Sequence, residues 1–298
     1  MNRRLFVSTL CLAMLLGTGV LGCTKPPAAG SQAPAGQAPA AGAAITIKGS
    51  DTMVHLVTAW TEAYRKAKPD ANLVVTGGGS GTGIAALING TTNICMASRN
   101  MSDKEKADLK AKGSEAVEHK VALDGIAIVV SKTNPLTEIT TEQLAKIYTG
   151  QVTNWKDLGG GDQKIIAYSR ESSSGTYVFF QEHVLQKKDY GTDVLLMPAT
   201  SAIIQGVESD AGAIGYVGLG YAHGAADKVK VLPVKATADA AAVAPSAETV
   251  RSKQYSIARE LFYYTAGAPT GGAKEFVDFC MGPEGQKIVE AEGYVALQ

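Results

Sequence analysis

Short apolar runs and amphipathic stretches alternate along the chain from residue 45 onward. The apolar runs are rich in β-branched residues and too short for helices, so they predict strands. We place these strands at 45–48, 73–75, 93–97, 125–130 and 165–168. The first amphipathic stretch puts Val57, Trp60 and Tyr64 on one helix face, and Pro69 limits the helix on its C-terminal side. Strands that alternate with helices predict an α/β fold.

Further helices complete this pattern. We predict them at 84–88, from Thr140 to near Gly150, at 177–186, and over 276–289 with an interruption at 281–283. The helix at Thr140 begins with Thr-Thr-Glu-Gln, which is typical of a capping box. An alanine-rich stretch at 235–248 has neither period and predicts a surface loop.

Residues 1–23 have the pattern of an export signal. Arg3 and Arg4 precede an almost wholly apolar run that ends near Leu21, and Cys23 closes the segment. A short apolar run behind a basic start is typical of a secretory signal and not of a spanning helix. Its Val-Leu-Gly-Cys ending resembles a bacterial lipobox, which implies cleavage before Cys23 and lipidation of its thiol. An ordinary signal peptide that is cut elsewhere is the alternative.

Residues 24–44 predict a disordered tether between this signal and the body. Sixteen of these 21 residues are Ala, Pro or Gly, and Lys25 is the single charge. Such a segment has little to bury and spans roughly 25 Å as a flexible coil. No later segment has 18 uninterrupted apolar residues, so we expect the protein to be anchored to a membrane by lipid only.

Charge and composition exclude some classes of function. The 298 residues are 45% apolar and 19% charged, which suits one large or two medium domains. Basic and acidic residues number 28 each, but residues 1–44 hold three basic residues and no acidic one, so the body has a net charge of −3. We therefore expect no nucleic-acid partner. Any bound anion has to be held by local geometry.

Two cysteines, Cys95 and Cys280, lie beyond the signal and the lipidation site. In an oxidising compartment they could form a disulfide. Two separately buried thiols are the alternative. Sequence spacing does not show whether their Cα atoms come within bonding reach, so both options stay open.

Three Gly/Ser/Thr turns each connect a strand to a helix. They are Gly49-Ser50-Asp51-Thr52, Gly79-Ser80-Gly81-Thr82 and Ser174-Gly175-Thr176. A helix start presents unpaired N–H groups and the positive end of the helix dipole. Hydroxyls add donors, and glycine lets an anion approach the backbone. One such turn is usually an ordinary helix cap, but three in one chain predict a shared anion site.

Two arginines stand beside these turns. Arg170 precedes Ser174 by four residues at the end of one predicted strand, and Arg99 follows Ser98 at the end of another. The guanidinium fork matches a tetrahedral oxyanion. A surface salt bridge is the alternative for either arginine. Because open α/β sheets bind ligands at the carboxyl ends of their strands, we favour the anion role.

The chain lacks familiar catalytic and metal-binding motifs. Its glycine run at 77–83 matches neither the dinucleotide fingerprint, nor a phosphate loop with its lysine, nor a nucleophile elbow. The histidines are scattered without metal-ligand spacing: His55, His119, His183 and His223. Three acidic residues have no evident acid–base partner: Asp51, Asp124 and Glu171. We therefore expect no metal, no cofactor and no enzymatic activity.

Six stretches, in this order, resemble the phosphate-binding receptors of phosphate ABC transporters. They are GSDTM (49–53), TGGGSGTGI (76–84), MASRNM (96–101), DGIAIVVSKTNP (124–135), the Arg170-x-x-x-Ser174-Gly175-Thr176 motif and AIGYVGLGY (213–221). The resemblance covers essentially all of 45–298. It implies the type II periplasmic-binding-protein fold, with two α/β lobes joined by a two-stranded hinge. Lobe one would hold 45–127 and 257–298, and lobe two would hold 128–256.

The resemblance also implies the phosphate ligands. These are Thr52, Met53, Ser80, Ser98, Arg99, Arg170, Ser174, Gly175 and Thr176. Arg99 departs from the best-known family pattern, which has an aspartate there to accept the proton of hydrogen phosphate. A carboxylate repels a fully deprotonated oxyanion but accepts from a protonated one. Asp51 is our candidate for this acceptor, and Asp124 is expected at the hinge or supporting the site.

The resemblance implies a monomeric, extracytoplasmic receptor on a bacterial membrane, in the periplasm or at the cell surface. It would close on inorganic phosphate and deliver it to the permease subunits of an ABC importer. One alternative is a receptor for sulfate, tungstate or another oxyanion on the same fold. Others are a secreted phosphatase with Ser174 or Ser80 as nucleophile, and a sensor or adhesin.

Overall fold

The computed structural model describes residues 44–297. The predictions for the signal at 1–23, the lipidation of Cys23 and the tether at 24–44 lie outside these residues, apart from Ala44. None of the helices in the described part is both long and apolar enough to cross a bilayer.

Eleven strands lie within residues 44–297. They are β1 (Ile45–Gly49), β2 (Leu73–Thr76), β3 (Ile94–Ala97), β4 (Ala116–Ser131), β5 (Ile139–Thr140), β6 (Ile166–Arg170), β7 (Leu195–Met197), β8 (Ala213–Gly218), β9 (Val229–Leu232), β10 (Val234–Lys235) and β11 (Ala258–Ala266). Nine of them form one sheet in the order β2-β1-β3-β11-β4-β8-β6-β7, and β9 also pairs with β4. The short strands β5 and β10 pair with each other.

Ten α-helices lie between and beside these strands in the described residues. They are α1 (Val54–Ala67), α2 (Ser80–Ile88), α3 (Asp103–Ala111), α4 (Thr141–Tyr148), α5 (Gly175–His183), α6 (Thr200–Ser209), α7 (Leu219–Gly224), α8 (Ala247–Arg251), α9 (Gly271–Met281) and α10 (Pro283–Ala291). Two short 3-10 turns, at Asp51–Met53 and Trp155–Leu158, complete the list.

The long strand β4 belongs to both halves of the sheet. Its first part pairs antiparallel with β11 as far as Gly125 opposite Ala258. From Ile126 onward it pairs with β8, and from Ile128 also with β9. Among the described strands, β4 is therefore the one that joins the halves, whereas β11 pairs only with β3 and with the first part of β4.

Each half has its own hydrophobic core. In the first half, Ile47, Trp60 and Tyr263 belong to one buried cluster, and a smaller cluster lies under α2. In the second half, Trp155 and Phe180 belong to the larger of two clusters. Two separately packed α/β lobes joined through β4 are the predicted type II periplasmic-binding-protein fold.

Most elements begin close to where the pattern predicts, and the exceptions have local causes. The capping box of α4 is confirmed, since Thr140 Oγ1 accepts from Gln143 N and Gln143 Oε1 accepts from Thr140 N. α2 begins at Ser80, four residues before the predicted start, because the glycines of its first turn carry no apolar signal. α5 spans Gly175–His183 and not 177–186. β4 starts nine residues before the predicted strand at 125, in a half-exposed stretch.

The cysteines do not pair. Cys95 and Cys280 are free buried thiols. Cys95 lies in the cluster under α2, whereas Cys280 belongs to the main core of the first lobe. Burial raises the pKa of both thiols, so they are inert apolar side chains at neutral pH.

Candidate anion-binding site

Three strand-to-helix turns meet where the two lobes face each other. The turn after β1 leads through Ser50 and the 3-10 turn to α1, and the turn after β2 leads to Ser80 at the start of α2. From the other lobe, β6 ends at Arg170 and Ser174 caps α5, where its Oγ accepts from Thr176 N at 3.2 Å. The three turns predicted from the sequence therefore all precede a helix, and side-chain contacts bring them together.

Five hydroxyl groups, which together we call the hydroxyl cluster, form a hydrogen-bonded set of three serines and a pair of threonines: Ser50, Ser80 and Ser98, and Thr52 and Thr176. Ser50 Oγ donates to Ser98 Oγ at 2.9 Å, and Ser98 Oγ lies 3.4 Å from Ser80 Oγ. Ser98 N also donates to Ser80 Oγ at 3.0 Å. The lobes touch where Thr52 Oγ1 lies 2.8 Å from Thr176 Oγ1.

These polar side chains are almost completely removed from bulk solvent. None of the five, nor Ser174 or Arg170, is more than 2% exposed. Buried polar groups are costly unless they have hydrogen-bond partners. So many hydroxyls in one place therefore indicate a site built to donate hydrogen bonds.

Gly175 brings the start of α5 against this cluster. A Cβ at Gly175 would clash with Ser80 Oγ and would lie 2.8 Å from Ser98 Oγ. The backbone of the first turn of α5 therefore lies directly beside two hydroxyls of the opposite lobe. Helix starts carry free N–H groups and a partial positive charge, so this arrangement favours an anion.

Arg170 supplies the positive charge of the site. Its Nε donates to Met197 O at 3.2 Å, and its Nη2 donates to Pro198 O at 2.9 Å. Its Nη1 donates to Thr200 Oγ1 at 2.7 Å and to Asp51 Oδ2 at 3.1 Å. Four of the five guanidinium N–H groups are thus engaged by the protein, which fixes the orientation of the fork.

Burial lowers the pKa of Arg170 from its ordinary value, and the nearby Asp51 carboxylate opposes this shift. The guanidinium nevertheless stays protonated, because its ordinary pKa is far above neutrality. Asp51 therefore faces a permanent cation.

Asp51 links the two lobes. Besides Arg170, its Oδ2 accepts from Thr200 N at 2.7 Å, at the first residue of α6. Its main-chain carbonyl accepts from Tyr221 Oη at 3.0 Å. Its Oδ1 faces Gly77, since a Cβ there would lie 3.3 Å from that oxygen. Asp51 thus lies beside the site, and its Oδ2 already accepts hydrogen bonds from Arg170 and Thr200.

Two of the residues implied by the resemblance have other contacts. Arg99 donates from Nη1 and Nη2 to the two oxygens of Glu105, at 2.8 and 2.7 Å, and from Nη1 to Asn100 O. The main-chain N–H of Met53 donates to Ser50 O at 3.1 Å within the 3-10 turn, and its side chain is fully buried. The roles of Arg99 and Met53 in anion binding stay predictions.

An ion pair that no local sequence pattern predicts lies beneath the site. Asp124 Oδ2 accepts from Arg259 Nη2 at 2.9 Å and from Nε at 3.2 Å, while its Oδ1 accepts from Leu219 N at 2.9 Å. Arg259 Nη1 also donates to Ser98 O at 3.0 Å. Both side chains are buried. Burial raises the pKa of Asp124, and the Arg259 charge and the Leu219 amide oppose that effect.

Across 44–297, no three His, Cys, Asp or Glu side chains are grouped as metal ligands. The groups at the site are hydroxyls, main-chain N–H groups and one guanidinium, with the Asp51 carboxylate beside them. Such donors hold a small oxyanion by hydrogen bonds.

Comparison with known proteins agrees with this fold. Residues 29–284 match the PBP superfamily domain. A solved structure of a putative phosphate ABC transporter substrate-binding protein with bound phosphate, from Clostridium perfringens, is similar over 86% of this chain and 100% of its own. Its TM-score is 0.77 and its sequence identity is 32%. An ABC-type phosphate transport receptor from Vibrio cholerae has a TM-score of 0.67 and 30% identity, over 85% of this chain and 100% of its own.

The sequence relatives narrow the class further. The phosphate-binding protein PstS of Bacillus subtilis is 34% identical over 258 residues, which is 86% of this chain and 82% of that protein. The chain therefore belongs, within the PBP superfamily, to the family of the phosphate-binding protein PstS.

Proposed function

We propose that this protein binds inorganic phosphate outside the cytoplasm and delivers it to an ABC importer. The observation that carries the proposal is the buried hydroxyl cluster, closed by Gly175 of α5 and completed by the oriented Arg170. The relatives named above as phosphate-binding proteins support the choice of ligand.

The donors come from both lobes. We assign Thr52, Ser80 and Ser98 to one wall and Arg170, Ser174, Gly175 and Thr176 to the other, with Ser50 supporting Ser98. An anion receives the full set only when the walls meet, so phosphate favours the closed form by its differential contacts. Micromolar binding corresponds to about 8 kcal/mol, which several charge-assisted hydrogen bonds can supply.

The hinge lies where β4 changes partner. We propose that the chain crosses between lobes at Gly125–Ile126 and again just before Ala258, where Ile126 N donates to Ile257 O at 2.8 Å. These positions support the predicted lobe boundaries, with 45–127 and 257–298 in one lobe and 128–256 in the other.

The same proposal covers export and partners. We infer that residues 1–23 direct export, that Cys23 carries the lipid anchor, and that 24–44 tether a monomer to the membrane. The permease subunits would receive the closed form. This part of the proposal rests on the sequence pattern, because these residues precede the described part.

A binding role fits the site better than hydrolysis does. Ser80 Oγ contacts Ser98, and Ser174 Oγ accepts from Thr176 N. In the described residues no histidine or carboxylate hydrogen-bonds to either serine, so neither has a base to activate it. Hydrolysis of a chromogenic phosphate ester by the purified protein would contradict a pure binding role.

Calorimetric titration of the ligand-stripped protein tests the proposal. We expect tight binding of phosphate and much weaker binding of sulfate. Arg170→Ala should lower phosphate affinity at least about 100-fold, or about 2.7 kcal/mol, because the site loses the guanidinium that Asp51 and Thr200 hold in place. Arg251→Ala is the matched control, since Arg251 is a half-exposed arginine paired with Glu290.

Two results would contradict the proposal. One is the absence of phosphate binding by the folded wild-type protein. The other is an unchanged affinity in Arg170→Ala with the circular dichroism of the native fold.

A further inference from the structure

The glycine loop before α2 contacts the opposite lobe outside the hydroxyl cluster. Gly81 N donates to Ser173 O at 2.9 Å, and Ser173 Oγ donates to Gly78 O at 3.1 Å. Ser173 immediately precedes Ser174, the cap of α5. Two hydrogen bonds therefore join the lobes through atoms that the proposed phosphate site does not use.

The glycines of this loop are required by that contact. Gly79 has φ of +113° and ψ of +152°, a conformation that is essentially restricted to glycine. A Cβ at Gly79 would lie 2.6 Å from Ser173 O, and one at Gly81 would lie 3.2 Å from it. The glycines of this loop are therefore needed not only for an anion to approach the backbone but also because the Ser173 carbonyl lies against the loop.

The main-chain N–H of Gly81 is also not free to bind an anion in this structure. It belongs to the first turn of α2, whose N–H groups have no partner within the helix. In this structure the carbonyl of Ser173 accepts its hydrogen bond. One of the donors that the motif offers for an anion is therefore used to hold the other lobe.

We propose that Gly78, Gly79, Gly81 and Ser173 form a clasp that stabilises the closed form and sets how fast phosphate leaves. The clasp rests on the proposed function for its ligand, but its effect on lobe closure does not need one. Because it stabilises only the closed form, loss of the clasp lowers apparent affinity by reducing the population competent to hold ligand.

Gly81→Leu tests the clasp without changing a proposed phosphate ligand. Leucine is a favourable helix residue, and the Cβ at this position points at Ser173, so the side chain should keep the loops apart. Ala85→Leu is the matched control, because Ala85 is an exposed position on the same helix. Ser173→Ala removes only the bond to Gly78 and gives an intermediate case.

Stopped-flow release of phosphate and small-angle scattering are the measurements. We expect Gly81→Leu to release phosphate at least about tenfold faster and to have a larger radius of gyration than wild type, with and without phosphate. Ser173→Ala should release it a few-fold faster, and Ala85→Leu should match wild type. Thermal unfolding confirms that each variant is folded.

The outcomes separate the two proposals. If wild type binds phosphate and Gly81→Leu matches it in release rate and radius, the clasp is refuted. An equal effect of Ala85→Leu would also refute it, because bulk on α2 would then act without the contact. If wild type binds no phosphate, the proposed function fails, and the radius of Gly81→Leu against wild type still decides the clasp.

Discussion

At the scale of single residues, the two oxygens of the Asp51 carboxylate have different neighbours and different proposed roles. Oδ2 orients Arg170 and caps α6 through Thr200 N, whereas Oδ1 faces the glycine loop beside the proposed anion. Lone pairs there would repel a fully deprotonated oxyanion and accept from a protonated one. Asp51 can therefore both hold the guanidinium and act as the acceptor predicted from the sequence.

Asp51→Asn should reduce discrimination between phosphate and sulfate. Asparagine keeps an acceptor for Thr200 N but replaces a repelling oxygen with an N–H donor, so sulfate gains and phosphate loses. We expect the ratio of the two dissociation constants to fall by at least about tenfold, measured by competition titration at pH 7. Asn100→Asp serves as a control for charge, and an unchanged ratio in Asp51→Asn would exclude the acceptor role.

Arg99 forms an ion pair with a carboxylate of the helix that follows it. Its bidentate contact is with Glu105, which also closes the capping box of α3 with Ser102. Burial raises the pKa of Glu105, but hydrogen bonds from Arg99 and Ser102 outweigh it and lower the pKa below the ordinary 4.5. The Ser102-x-x-Glu105 spacing is a capping-box signature, so the sequence does contain a signal for the position of Glu105.

Glu105→Gln should lower the free energy of unfolding by about 1 kcal/mol at pH 7. Glutamine retains the capping geometry, so the loss reports the charge. Because the folded pKa is depressed, the stabilisation is present above pH 4.5 and is lost as the pH falls through the folded value. Urea unfolding of both proteins from pH 7 to 3 should therefore show the difference shrinking toward acid, and a constant difference would contradict the assignment.

At the scale of elements, close packing of α2 on β1 positions Ser80. A Cβ at Gly83 would clash with Lys48 O and would lie 2.5 Å from Gly49 Cα. Gly83→Ala should therefore destabilise the protein by about 1–3 kcal/mol and weaken phosphate binding, because α2 and Ser80 are displaced. Gly224→Ala in α7 is the control, since a Cβ there meets nothing within 4 Å. Equal unfolding free energies for the two variants would show that α2 can shift freely.

Local signals explain which elements could be predicted from the sequence. The turns at Ser50, Ser80 and Ser174 can be predicted because the strand, the turn residues and the helix are contiguous in the sequence there. The predicted start of α2 is too late, because Gly81 and Gly83 are required by contacts with Ser173 and β1 and are not favoured by helix propensity. Propensity carries no information about such approaches between distant segments.

The ion pair between Asp124 and Arg259 could not be predicted for a related reason. Arg259 lies in the largely apolar strand β11, 135 residues from its partner in the sequence. From the sequence alone it would be expected to be an exposed arginine. Asp124 was expected near the hinge, but no local pattern identifies which cation neutralises it. Only the register of β11 against β4, which places Arg259 opposite Asp124, brings the two charges together.

At the scale of the whole molecule, this pair connects parts that move relative to one another in the proposed closure. Asp124 lies on β4, the strand that joins the lobes, and Arg259 lies opposite it near the start of β11. Arg259 also holds Ser98 O beneath the hydroxyl cluster, and its guanidinium lies 5.5 Å from the ring centroid of Phe179 on α5. Asp124 in turn accepts from Leu219 N at the start of α7. This buried charge pair thus contacts the hydroxyl cluster and elements of both lobes, next to the proposed hinge.

Arg259→Met should therefore impair stability and binding together. A buried carboxylate left without its cation costs about 3–5 kcal/mol, and Ser98 loses the contact that fixes its carbonyl. In the double variant Asp124→Asn/Arg259→Met the uncompensated charge is gone, and asparagine still accepts from Leu219 N. Urea unfolding should then show the double variant to be more stable than Arg259→Met alone, while phosphate affinity stays reduced because Ser98 remains unsupported. Equal stability of Arg259→Met and the double variant would mean that the hinge tolerates an unpaired charge. Wild-type phosphate affinity in the double variant would mean that the Asp124–Arg259 pair does not support the binding site.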